Sequence, residues 1–208
     1  GTIIRDMQIE VVETDNLPPT IDPLADHCVE ADSTLIFKVT AHDESTEKVT
    51  ISSTGGVYDL DISPAYFKDT TALGTVSSDF KWTTDCSHVR KQPYLVIFKA
   101  SDDNPDQVLV SYKNVNVYVL GPAPENIQLE PTNNSIFVQW DSSRCEEVAG
   151  YNIYRKNRRA FFTPAECEVG VPAYTEYELI GTVLGWNNTE YIDDDKGLGL
   201  VQGYEYCY

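Results

Sequence analysis

No stretch of this chain keeps a helical period, and almost every apolar run is short, β-branched or aromatic, and cut off by Pro, Gly, Asn or Asp. Segments 35–40 (LIFKVT), 94–100 (YLVIFKA), 108–120, 136–140 (IFVQW), 151–155 (YNIYR) and 177–183 all read as strands. Several short strands with frequent turn signals imply an all-β chain of tandem antiparallel β-sandwiches. The length, 208 residues, suffices for two ordinary cores.

Two segments share one alternation. In Arg5–Val12 the apolar positions are Met7, Ile9 and Val11; in Lys113–Leu120 they are Val115, Val117 and Val119. Each runs into a Pro-containing linker, Leu17-Pro18-Pro19 and Gly121-Pro122-Ala123-Pro124. They stand about one sandwich domain apart. Each therefore reads as a closing strand, although any two amphipathic strands look alike. Residues 1–16 are expected to be the last strand of a preceding domain plus linker, 17–121 an immunoglobulin-like domain, and 122–208 a second sandwich. Pro-containing linkers favour extended, semi-rigid connections, as in a stalk.

Charge narrows the partners. Acidic residues number 33 against 15 basic, for a net charge of −18. Such a surface repels phosphate backbones and anionic lipid, so no nucleic-acid partner is expected. No apolar run approaches the length of a membrane span. Residues 1–16 lack the basic-then-apolar pattern of a signal peptide, so an exported parent protein would begin upstream.

The five cysteines, Cys28, Cys86, Cys145, Cys167 and Cys207, form no CxxC pair. Scattered cysteines in an acidic all-β chain point to disulfides made in an oxidising compartment. Cys28 with Cys86 would tie two turns of the first module, and Cys145 with Cys167 would clip an insertion at residues 157–173. Cys207 is left unpaired, its partner expected beyond Tyr208. His27 and His88 beside Cys28 and Cys86 admit a zinc site as the other reading, although adjacent His-Cys chelates one tetrahedral ion poorly.

The order of segments in the first module, with Thr14-Asp15-Asn16-Leu17-Pro18-Pro19 ahead of it, resembles cadherin-like and PKD-like immunoglobulin repeats. That resemblance implies calcium, with Asp15, Asn16, Asp43, Asp102 and Asp103 as its ligands, since calcium takes six to eight oxygens. Solvated turn residues are the competing reading, because Asp and Asn favour turns. The second module, from IFVQW through Gly150-Tyr-Asn-Ile-Tyr-Arg155 to Gly203-Tyr-Glu-Tyr-Cys-Tyr208, resembles a fibronectin type III domain that lacks its last strand. The resemblance places the core tryptophan at Trp140 and the corner tyrosine at Tyr206. Period-2 geometry then turns Tyr206 and Tyr208 inward and Cys207 outward.

Cys145, Gly150 with YNIYR, Cys167-Glu-Val-Gly-Val-Pro172 and GYEYCY together are similar to tandem modules of Bacteroidota surface proteins of the gliding-motility-associated, type 9-secreted kind. The implied role is a non-catalytic extracellular or cell-surface spacer or adhesion region. Its partners would be neighbouring domains of the same polypeptide and a cell-surface protein or glycan, the latter met by tyrosines and Trp186. The alternative is a glycan- or protein-binding accessory region of a secreted hydrolase. No GxSxG, HExxH, GxGxxG or P-loop occurs, so no enzyme is expected, and His27, His42 and His88 read as surface or turn residues.

Overall fold

In the computed structural model, which describes residues 15–43, 47–158 and 170–208, apolar alternation sets which face of each strand is inside. The first half contains β1 (Thr20–Ile21), β2 (His27–Glu30), β3 (Thr34–His42), β4 (Lys48–Thr54) and β5 (Tyr66–Phe67). It continues through β6 (Thr70–Leu73), β7 (Thr75–Thr83), β8 (Tyr94–Ser101) and β9 (Val110–Leu120). The second half contains β10 (Gln128–Pro131), β11 (Ile136–Gln139), β12 (Gly150–Asn157), β13 (Glu178–Leu184), β14 (Glu190–Asp193) and β15 (Tyr206–Cys207). The expected strand of residues 1–13 lies outside the described residues.

In the first half, one sheet has the order β1-β3-β7-β5 and the other β2-β9-β8-β4-β6. Pairing is antiparallel except at β2, which runs parallel to β9 with Val29 opposite Val119. Along β7 only Val76, Phe80 and Trp82 are buried, in period 2 with the half-buried Ser78, while Thr75, Ser77, Asp79, Lys81 and Thr83 are exposed. Phe80, Trp82, Val96, Phe98, Val115 and Val117 are fully buried in the core between the sheets. Phe37 stacks on Phe80 at 4.9 Å, and Phe80 meets Phe98 edge-on at 6.2 Å. Each such ring contributes about 1.5–3 kcal/mol by leaving water. Trp82 keeps its indole N–H satisfied by donating to the Ser63 carbonyl at 3.0 Å.

The second half pairs β10-β11-β14 against β13-β12-β15. Its core is smaller: Val138, Trp140, Tyr151 and Ile153, with Ile180, Val183, Tyr191 and Tyr208 against it. Trp140 is 5% exposed and meets Tyr151 edge-on at 5.1 Å. Two glycines let strands approach closely. A Cβ on Gly150, whose φ is +149°, would collide with the Val183 carbonyl across the β12–β13 ladder. At Gly181 it would collide with the Tyr191 ring, whose hydroxyl donates to the Ile180 carbonyl at 2.9 Å.

The disulfides differ from the expected pairing. Cys86 is bonded to Cys145, so neither the Cys28–Cys86 nor the Cys145–Cys167 bridge forms. The bond spans the two halves because a turn after β7 and the segment before β12 meet at the seam. Cys28 is also disulfide-bonded, and Cys207 carries a free thiol. Cys167 itself lies outside the described residues. The zinc reading fails with the pairing, since Cys86 is consumed as a disulfide.

Candidate functional site

Sequence reasoning singled out acidic turns, and the fold gathers some of them. Asp43 follows β3, Glu47 precedes β4, and Asp102 follows β8. One carboxylate oxygen from each lies within 4.8 Å of the others. Asp102 is 4% exposed. Its two oxygens accept from the Leu109 amide at 2.8 Å and the Asn16 side-chain amide at 2.8 Å. Asn104 donates to Glu47 at 2.6 Å, and its own side-chain oxygen accepts from the Gln107 amide at 3.1 Å. The buried Gln107 side-chain oxygen accepts no hydrogen bond.

Three converging carboxylates supply oxygen donors of the kind calcium takes, three of the six to eight it needs. Asp43, Glu47 and Asp102 are the residues that could hold such an ion. Glu47 was missed because it stands just past a polar loop with no pattern of its own. Asp103 and Asp15 are not in the group. Asp103 instead accepts the Lys48 amide at 2.7 Å, and Asp15 is exposed. Asn16 turns its N–H toward Asp102, which orients the carboxylate.

The seam is the second place where sequence-distant groups meet. Cys145 is fully buried and joins the core of the first sandwich, with Val148 packed against it. Next to it, Arg144 reaches Glu30 at 3.1 Å and Asp32 at 3.3 Å. Both pairs are about half exposed and contribute little each. Their effect is to orient the disulfide-bearing loop. The other end of that bond sits in a capped turn, where Asp85 accepts from the Ser87 amide at 2.9 Å and holds its carboxyl below the usual range through its bonds to Ser87. His88 closes the same turn with Nδ1 on the Asp85 amide at 2.9 Å and Nε2 near the Ile62 carbonyl at 2.9 Å. At 3% exposure it is a turn histidine, as one of the two expected readings had it, but a buried one and not a surface residue. His27 stacks on Phe37 at 4.4 Å, and His42 lies 3.2 Å from Asp22.

Four tyrosines of the second half, Tyr151, Tyr191, Tyr206 and Tyr208, hydrogen-bond their hydroxyls within the protein. Tyr151 donates to the Trp186 carbonyl at 2.6 Å and accepts from the Ser143 amide at 2.7 Å. Tyr206 accepts from the Val201 amide at 3.0 Å, and Tyr208 donates to Asp193 at 2.6 Å. Tyr174 and Tyr204, at 72% and 61% exposure, are what remains of the expected aromatic surface.

Solved structures similar to this chain are immunoglobulin-like or PapD-like sandwiches. The ASH/PapD-like domain of human CEP192 is 7% identical, with 59% of this chain and 99% of that one covered at a TM-score of 0.37. The SrpA adhesin from Streptococcus sanguinis is 11% identical, with 61% and 88% covered at 0.37. Titin domains A168–A170 are 10% identical, with 91% and 58% covered at 0.35. No family model and no curated protein matches the sequence. The chain is an all-β protein of β-sandwich type.

Proposed function

We propose that this chain is a non-catalytic extracellular region that spaces and presents other parts of a larger secreted or cell-surface protein. The observation that carries this reading is the Cys86–Cys145 disulfide between the two sandwiches. Disulfides persist in oxidising compartments, and this one acts where a spacer needs it, at the joint. A spacer must resist bending, and a proline-containing connection alone leaves some freedom. The covalent bond, the Arg144 ion pairs and the packing of Val148 on the first core remove it.

In this reading the route out of the cell is the type 9 system suggested by the sequence resemblance, and the partners are adjoining domains with a surface protein or glycan. Small-angle scattering of the oxidised chain, compared with a Cys86→Ala/Cys145→Ala chain, tests the spacer. The oxidised chain is expected to show one narrow distribution of dimensions and the variant a broader one. Equal breadth in both would remove the spacing role.

A further inference from the structure

We propose that the outer face of strands β9, β8, β4 and β6 binds an acidic polysaccharide through Tyr112 and Lys99. This rests on the glycan partner of the preceding section and gives that partner a chemical class and a place. The spacing role, carried by the seam disulfide, stands or falls separately. Register fixes which side chains share the face. Val49, Ile51, Val96, Phe98 and Val115 are buried in the core, so period 2 turns the residues between them outward. One row across the sheet is Thr71, Thr50, Ser101 and Val110. The next is Ser52, Lys99 and Tyr112, and the third is Thr54, Ile97 and Asn114. The Thr50 and Thr71 hydroxyls lie 2.8 Å apart, as side chains on one face do.

Charge singles this face out. Strands β4, β6, β8 and β9 contain no acidic residue at any position, although the chain has 33 acidic residues against 15 basic. Lys48 and Lys99 point outward, and neither pairs with a carboxylate among the described residues. At the rims, Asp103 and Asp26 each spend a carboxylate oxygen on a backbone amide, of Lys48 at 2.7 Å and of Asn116 at 2.8 Å. The other sheet of the same sandwich mixes both signs: Lys38 stands across from Asp79, and His42 lies 3.2 Å from Asp22. Within a Debye length of Lys99, the local cation and not the distant acids sets the field, and it favours an anion.

The neighbours of Lys99 decide which anion. Lys99 and Tyr112 are cross-strand partners on β8 and β9, which sets their Cβ atoms about 5 Å apart. Tyr112 is 61% exposed, and its hydroxyl has no partner among the described residues. A tyrosine offers an apolar ring with a polar tip. Beside an ammonium it matches a uronic acid, whose pyranose has an apolar C–H face and a carboxylate at its edge. Thr50, Ser52, Thr54, Ser101 and Asn114 supply hydroxyls and an amide for the remaining sugar hydroxyls. The core of a protein interface is instead contiguous and rich in apolar and aromatic residues. Here the exposed Leu95 and Val110 stand at opposite ends of the face, with hydroxyl and amide side chains along the rows between.

The probes are oligogalacturonate and a hyaluronan oligosaccharide, titrated into the full chain and followed by NMR, with neutral oligogalactose and poly-glutamate as comparators. At least one uronate chain should bind saturably, with shifts gathered on β4, β8 and β9 around Lys99 and Tyr112. Lys99→Gln and Tyr112→Ala should each weaken binding at least tenfold while leaving Tm unchanged. Lys38→Gln, on the other sheet, should leave binding as it is. Absence of saturable shifts with both uronates at millimolar concentration overturns the proposal, and so does equal binding of oligogalactose. Poly-glutamate bound as tightly at the same residues would make the face a dock for acidic protein, and would overturn it too. None of these outcomes alters the scattering test of the spacer.

Discussion

Arg155 grips Asp193 with one nitrogen: Nη1 stands 2.9 Å from Oδ1 and 3.1 Å from Oδ2, while Nη2 reaches Asp195 at 2.8 Å. Tyr208 completes the shell by donating to Asp193 Oδ2 at 2.6 Å. Asp193 is 2% exposed, so its charge is tolerated only because these donors replace water. Burial by itself would loosen the proton on Arg155, but the hydrogen bonds to Asp195 and Asp193 outweigh it and hold the guanidinium above its ordinary value.

Arg155→Met should therefore destabilise the second sandwich by about 3–5 kcal/mol, because it strands a buried carboxylate. Arg155→Met combined with Asp193→Leu should recover most of that loss. Urea unfolding followed by tryptophan fluorescence measures both. A single variant that loses under about 1 kcal/mol would show that Asp193 finds water, and the network would then be ornamental.

Removing the seam disulfide should separate the two sandwiches energetically. Its cysteines lie 59 residues apart. A loop of that size removes about 4 kcal/mol of unfolded-chain entropy on the chain-entropy model. In calorimetry the oxidised chain should unfold in one coupled transition. The Cys86→Ala/Cys145→Ala chain should show two, at least one of them lower. A single unshifted transition in the variant would mean that Arg144 and Val148 couple the halves without the bond.

Strand composition made the sandwich legible, because β-branched and aromatic residues in period 2 carry the fold wherever one face is buried. Segments 94–100, 136–140 and 151–155 of the sequence reading fall on β8, β11 and β12. Strands β4 and β7 escaped notice because Ser, Thr and Lys fill their outward positions and dilute the apolar signal. The cysteine partners were not legible at all. Pairing by proximity within a module ignored that Cys86 sits in a turn aimed at the next sandwich, a fact of tertiary geometry. The acidic cluster was half legible. Asp43 and Asp102 stand in conspicuous Asp-rich segments, whereas Glu47 joins them only because the fold brings the start of β4 and the ends of β3 and β8 together. Arg155 gave no signal, since one arginine in a strand reads as an outward residue until Asp193 is seen buried beneath it.

Calcium should stabilise the first sandwich through Asp43, Glu47 and Asp102. An ion at about 100 times its Kd adds about 2.7 kcal/mol, which in a sandwich of this size raises Tm by roughly ten degrees or more. Thermal unfolding with millimolar calcium against a chelator measures it. Asp102→Asn and Glu47→Gln should abolish the shift, while Asp15→Asn and Asp103→Asn should keep it. A shift that survives Glu47→Gln would move the ion elsewhere, and no shift at all would leave the carboxylates as turn and hydrogen-bonding groups.

Alkaline pH should weaken the first sandwich through Tyr58. Its hydroxyl lies 2.5 Å from Ser53 Oγ, and its ring meets Phe80 edge-on at 6.3 Å. Burial pushes the phenol up to about 12; the Ser53 bond pulls the other way, and the Asp69 charge adds to the rise. In the unfolded chain the same group titrates near 10.0. The folded state thus keeps a proton that the unfolded state gives up. The resulting stability is complete below about pH 10 and is lost as pH rises through about 12. Tyr58→Phe has no proton to lose, so the unfolding midpoint of its first sandwich should fall less steeply over that window than the wild type. Tyr208, also held protonated by burial and by Asp193, belongs to the second sandwich and is untouched by the change. Parallel slopes for wild type and variant would place the alkaline weakness in the other tyrosines and acquit Tyr58.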